Sequence, residues 1–186
     1  MVRRLLCCAL LAMPLPGRGG GVTDSSVSYD GGVYSLSIEA RIDAPAPMVY
    51  RLITDHDHLH DINPAIRESR ILRTYSPEKH RIRTVTRVCV LFYCRDVTQT
   101  QDMLQSPGYL IEADILPQDS DFRRGHGHWR LTAAGNATLM QFHAELEPAF
   151  FLPPLIGPWL IRREMVSQIT EIVMIIEARY HGKAAS

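Results

Sequence analysis

The stretch PPLIGPWLIRREMVSQITEIVMIIEARY, residues 153–180, reads as one long amphipathic helix from Pro154 to about Tyr180. Pro153, Pro154 and Pro158 crowd its entry, where a proline removes no intrahelical N–H bond. Met165, Ile169, Ile172, Val173, Ile176 and Tyr180 recur at helical spacing and make an apolar stripe. Arg162, Arg163, Gln168, Glu171 and Arg179 fall mostly off that stripe, while Val166, Met174 and Ile175 widen it. Such a face needs a partner. Everything between Val33 and Glu147 reads mainly as strands, so the helix is expected to lie across a sheet. The plain reading of the stripe is core packing. The sharper one is that helix and sheet close imperfectly and leave an apolar cavity.

Upstream, Tyr34, Leu36, Ile38, Ala40 and Ile42 alternate with polar residues, the pattern of a half-buried strand. Pro47 then opens a short helix over Met48–Ile53, and His56–Asp61 reads as a second short helix or turn, with Asp55 as its cap. Strands follow at Ile66–Tyr75, His80–Val90, Arg95–Leu104, Tyr109–Leu116, Phe122–Thr132 and Thr138–Glu147, separated by turn residues. Strands joined by short turns pair antiparallel, because parallel neighbours need long crossovers. The order predicts an α+β fold.

The N-terminus has another pattern. Met1–Arg4 is basic, Leu5–Met13 apolar, and Pro14–Gly21 small and turn-forming, which is the layout of a secretory signal peptide over residues 1–21. Residues 22–31 are polar and are expected to be a disordered lead-in. The domain is expected over 32–181, with a disordered tail at 182–186. Basic and acidic residues balance at 20 each, and loss of Arg3, Arg4 and Arg18 leaves the exported chain mildly acidic. A nucleic-acid binder usually shows a basic excess, so no nucleic-acid partner is expected. Export to the periplasm or beyond leaves Cys89 and Cys94 as the cysteine pair. In that setting a disulfide is favoured over two buried thiols on neighbouring strands.

Ile42-Asp43-Ala44-Pro45, Met48-Val49-Tyr50-Arg51-Leu52-Ile53-Thr54-Asp55, Asn63-Pro64 and Ile66–Leu72, with the closing helix Pro153–Tyr180, resemble the START-like (SRPBCC) helix-grip superfamily. Its members include polyketide cyclase/dehydrase and coenzyme-Q-binding proteins. The likeness covers Val33 to Tyr180. It implies a curved antiparallel sheet of about seven strands, two short helices after the first strand, and one long C-terminal helix gripped across the sheet. It also implies a cavity for a lipid, isoprenoid, polyketide or other apolar molecule.

The polar cluster Asp55–Asp61 holds His56 and His60 at helical spacing, and His126 and His128 share a strand face. This matches no established metal motif, and no metal or cofactor is expected. Arg81, Arg83 and Arg87 share one strand face, which alternation with Ile82, Thr84, Thr86 and Val88 turns outward. Gly125 and Gly127 share a face with Trp129 and Leu131, and glycine in a strand marks a bend or a close approach. The expected cavity walls are Trp129, Phe142, Trp159, Met165, Ile169 and Ile172. No nucleophile–base pair stands out, so no catalytic residue is assigned. The leading expectation is an exported protein binding an apolar or amphipathic small molecule, with transient membrane contact through Trp159 and Leu152–Ile161. A cyclase or dehydratase and a cavity-free interaction module are the alternatives. The oligomeric state is left open.

Overall fold

The computed structural model describes residues 19–90 and 93–184. The expected signal peptide lies outside these up to residue 18, as do residues 185 and 186 of the expected tail.

Among the described residues, one antiparallel sheet of eight strands carries the fold, in the order β1-β2-β8-β7-β6-β5-β4-β3. The strands are β1 (Gly21–Asp30), β2 (Val33–Ile42), β3 (Ile66–Ser76), β4 (Lys79–Val90), β5 (Tyr93–Ser106), β6 (Leu110–Ile115), β7 (Phe122–Ala134) and β8 (Ala137–Pro148). A short helix, α1 (Ala46–Ile53), and a 3-10 turn at Leu59–Asp61 follow β2, and the long helix α2 (Gly157–Ala184) is the last described element. This is the expected α+β helix-grip arrangement, with one strand more.

The extra strand corrects the expectation of a disordered lead-in. Residues 21–30 pair along the edge of β2, from Gly21 opposite Arg41 to Asp30 opposite Val33. Their Ser and Asp content is poor for a strand, but pairing with a preformed edge and packing of Val22 and Val27 on the core override it. Gly31 and Gly32 are the turn of this hairpin, with φ of 53° and 98°, a conformation that glycine adopts without a Cβ clash. The tail differs too, since α2 continues helically to Ala184. Its start is later than the first proline: Gly157 N–H bonds the Pro153 carbonyl at 2.7 Å, and Pro158 sits in the first turn.

The alternating residues of β2 point into the core, with Tyr34, Leu36, Ile38, Ala40 and Ile42 all buried. Ile169, Val173 and Ile176 of α2 bury against them, whereas Met174 faces solvent, contrary to the widened face read from the sequence. The helix packs chiefly on β1 and β2 and touches β4 only lightly. That asymmetry leaves space between α2 and the far half of the sheet.

At the β4–β5 reversal, Cys89 and Cys94 are directly opposed and joined by a disulfide, as the exported reading favoured.

Candidate functional site: a cavity under the long helix

The space between α2 and the sheet is a cavity of about 340 Å³. Trp129 and Phe142 form one wall. They are cross-strand partners on β7 and β8, and their rings stack with centroids 4.7 Å apart. Met165, Ile169 and Ile172 come down from α2, and Ile82, Ile111 and Met103 close the floor. Thus five of the six predicted wall residues meet around one cavity, counted from its lining. Trp159 does not join them. It is 56% exposed, at the start of α2, with the Arg163 guanidinium 5.5 Å from its ring centre.

Gly125 allows the wall to close. A Cβ there would stand 2.5 Å from Ile115 Cδ1 and 2.9 Å from Leu146 Cδ2, so the close approach read from the sequence holds at this position. Gly127 has ordinary room.

Sequence reasoning missed the polar part of the lining. Thr84 and Thr86 of β4 and Gln99 and Gln101 of β5 face the cavity. Their period-2 placement among Ile82, Val97 and Met103 was the available signal. At the partly exposed edge, Asn63 Nδ2 donates to Gln168 Oε1 at 3.1 Å, and Gln168 Nε2 donates to Glu164 Oε1 at 2.9 Å. Gln168, off the apolar stripe in the sequence, thus borders the cavity. No lysine or arginine lines the cavity among the described residues. Arg81, Arg83 and Arg87 turn outward as alternation predicted, and pair with Asp102, Glu68 and Asp96. Tyr34, also on the wall, has its hydroxyl pushed up in pKa by burial and donates weakly to the Leu152 carbonyl at 3.4 Å.

The end of α1 and the segment after it close one end of the cavity with Ile53, Leu59 and Ile62. That segment is tied to α2 by the Asn63–Gln168 bond and by Arg179, whose guanidinium donates to the Asp61 carbonyl at 2.7 Å. Behind it His56 is 2% exposed. The Gln105 amide donates to His56 Nε2 across 3.2 Å in the neutral ring, and Tyr50 donates to Gln105 Oε1 at 3.4 Å. Burial, helped by the nearby His80, pushes the His56 pKa down to about 4. His60 stands apart from it, half exposed beside Asp61, and His126 turns outward to Asp114 at 2.8 Å. Among the described residues, no group of three or more His, Cys, Asp or Glu could hold a metal ion. Asp55 is not the expected helix cap either; its Oδ1 pairs with His58 Nδ1 at 2.8 Å.

An open antiparallel sheet, a long helix across it and an apolar space between them define a START-like helix-grip protein. A family model described as polyketide cyclase / dehydrase and lipid transport matches residues 34–172. The chain belongs to that family. No curated protein matches it. Among solved structures, it resembles the Zhui aromatase/cyclase from Streptomyces sp. R1128, with a TM-score of 0.65 and 15% identity over 82% of this chain and 96% of that one. It also resembles human STARD10, with a TM-score of 0.63 and 13% identity over 87% of this chain and 76% of that one. A STAR-related lipid transfer protein from Xanthomonas axonopodis aligns with a TM-score of 0.59 and 11% identity, over 82% and 98%. At these identities the likeness establishes the fold.

Proposed function

We propose that this protein is an exported carrier that binds an apolar or amphipathic small molecule, such as a lipid, an isoprenoid or a polyketide-like compound, between its sheet and α2. The observation that carries this reading is the cavity of about 340 Å³, whose walls are mostly apolar. Pockets of this size and lining hold small ligands by taking apolar surface out of water, at about 25 cal/mol per Å² before ordering costs. The solved structures it resembles include both a lipid transfer protein and an aromatase/cyclase. A cyclase needs an acid or base against the reacting carbon. Here Glu164 sits at the partly exposed edge and Tyr34 is engaged with Leu152, so binding accounts for the wall better than turnover does.

Export is supported by the charged, apolar and small-residue sequence of the first 21 residues and by the Cys89–Cys94 disulfide. In this reading the signal ends before Gly20, because the Gly20 N–H bonds Glu177 and Gly21 opens β1. Ligand exchange would occur at a membrane. Phe151, Leu155, Ile156 and Trp159 are exposed together around the start of α2, with Leu155 97% exposed, while Leu152, Leu160 and Ile161 of the same stretch line the cavity. The segment 55–64 serves as the gate at the end it closes.

Native mass spectrometry on protein purified from its own envelope fraction, followed by solvent extraction, tests the carrier reading. A co-purifying apolar molecule that is lost in Ile172→Trp, which fills the cavity, supports it. Empty protein that also fails to bind an apolar fluorescent probe overturns it. Vesicles of phosphatidylethanolamine and phosphatidylglycerol test the membrane contact, and unchanged affinity after Trp159→Ala would count against it.

A further inference from the structure

The charge distribution around the cavity is one-sided, and it restricts the ligand further than apolar walls alone. Every arginine of β4 is turned to the outer face and paired there with a carboxylate. The cavity floor offers hydroxyl and amide groups, from Thr84, Thr86, Gln99 and Gln101, and His126, which also borders the space, is engaged through Nδ1 with Asp114 at 2.8 Å. Among the described residues, the one carboxylate on the lining is Glu164. Its orientation is set by a hydrogen-bond relay, because Asn63 is 8% exposed and fixed in turn by its Oδ1, which accepts the Ala65 N–H at 3.1 Å. Asn63 donates to Gln168, and Gln168 donates to Glu164. A carboxylate has about four acceptor positions, and this relay uses one of them.

From this geometry we infer that the cavity selects an apolar ligand whose polar end carries a hydrogen-bond donor and no negative charge, with that end seated at Glu164 beside Gln168. This deepens the carrier reading and rests on it. The physical reason is the cost of burying an uncompensated anion. A carboxylate or phosphate inside this space would meet no lysine or arginine among the described residues, would lie near a like charge at Glu164, and would lose its water. A hydroxyl loses less and gains the Glu164 oxygen or a floor amide. An ammonium gains a charge-assisted hydrogen bond, which is stronger than a neutral one. Fatty acids and acidic lipids are therefore poor ligands, and alcohols and amines of the same chain length are good ones.

The test is competition against the neutral fluorophore N-phenylnaphthylamine at neutral pH, with dodecanol, dodecylamine and dodecanoate, each kept below its micelle concentration. Dodecanol and dodecylamine should displace the probe, and dodecanoate should need at least tenfold more. In Glu164→Gln the dodecylamine affinity should fall about tenfold, a loss of one charge-assisted bond, while dodecanol changes little. Competition by dodecanoate equal to that by dodecanol overturns the inference and leaves the carrier reading standing. Failure of the probe and all three chains to bind removes the carrier reading and the inference with it. The comparison of three ligands on the unaltered protein decides the matter even where the Glu164→Gln protein is poorly folded.

Discussion

The Glu177 carboxylate accepts the backbone N–H of Asp43 at 2.7 Å, across 134 residues of chain. The same oxygen accepts the Gly20 N–H at 2.9 Å. One side chain near the end of α2 therefore fastens the outgoing end of β2 and the chain entering β1. Glu177→Ala leaves both donors without that partner and should cost about 1–3 kcal/mol. Glu177→Gln keeps an acceptor and should cost less. Urea denaturation measures both, and equal midpoints for the two variants would refute the assignment.

Gly157 rests on the ring of Tyr34. A Cβ at this position would stand 2.5 Å from Tyr34 Oη and 3.1 Å from Cε1. Gly157→Ala should therefore push the first turn of α2 off the sheet at a cost of about 1–3 kcal/mol. Tyr34→Phe removes the nearest atom and should restore part of the loss. Thermal unfolding of the double variant checks this; a double variant no more stable than Gly157→Ala would sink the steric account.

His56 makes stability depend on pH. In the fold its pKa is about 4, held down first by burial, against 6.5 for a free imidazole. Between those values the unfolded chain binds the extra proton and the folded chain resists it. The contribution is thus complete above about pH 6.5 and is lost as pH falls toward 4, to a total of up to roughly 3 kcal/mol. Denaturation midpoints measured between pH 7 and 4 should decline, and the decline should flatten in His56→Gln. An equal slope in that variant would assign the effect to other groups.

The Cys89–Cys94 disulfide spans a sequence separation of five and closes one hairpin end. A loop this short should contribute about 2 kcal/mol through the unfolded chain, less than a long loop would. Reduction should leave the sheet folded and lower the denaturation midpoint modestly. Exchange protection should fall around the β4–β5 end while β2 and β8 keep theirs. Loss of protection throughout the sheet would contradict the local role.

Much of this was legible in the sequence because the signals were periodic. The alternation from Tyr34 to Ile42 and the stripe from Met165 to Ile176 each mark a buried face without reference to anything distant. β1 was not legible, since its Ser and Asp residues form a strand only where the edge of β2 is already present to pair with them. Trp159 illustrates the opposite error. A large aromatic at a helix entry was expected on the wall, but α2 begins at Gly157, and its first turn sets Trp159 toward solvent. The relay from Asn63 through Gln168 to Glu164 joins residues more than a hundred positions apart, and no local pattern announces it.

The helix that roofs the cavity follows every strand of the sheet in chain order. Synthesis delivers all eight strands before α2 is complete. Until then the inner faces of β2 and β8 have no lid, and the anchoring of β2 by Glu177 has no partner to supply it. Contacts of such long sequence separation form late in folding. In the proposed carrier reading, a ligand is therefore held only once α2 has docked on the finished sheet.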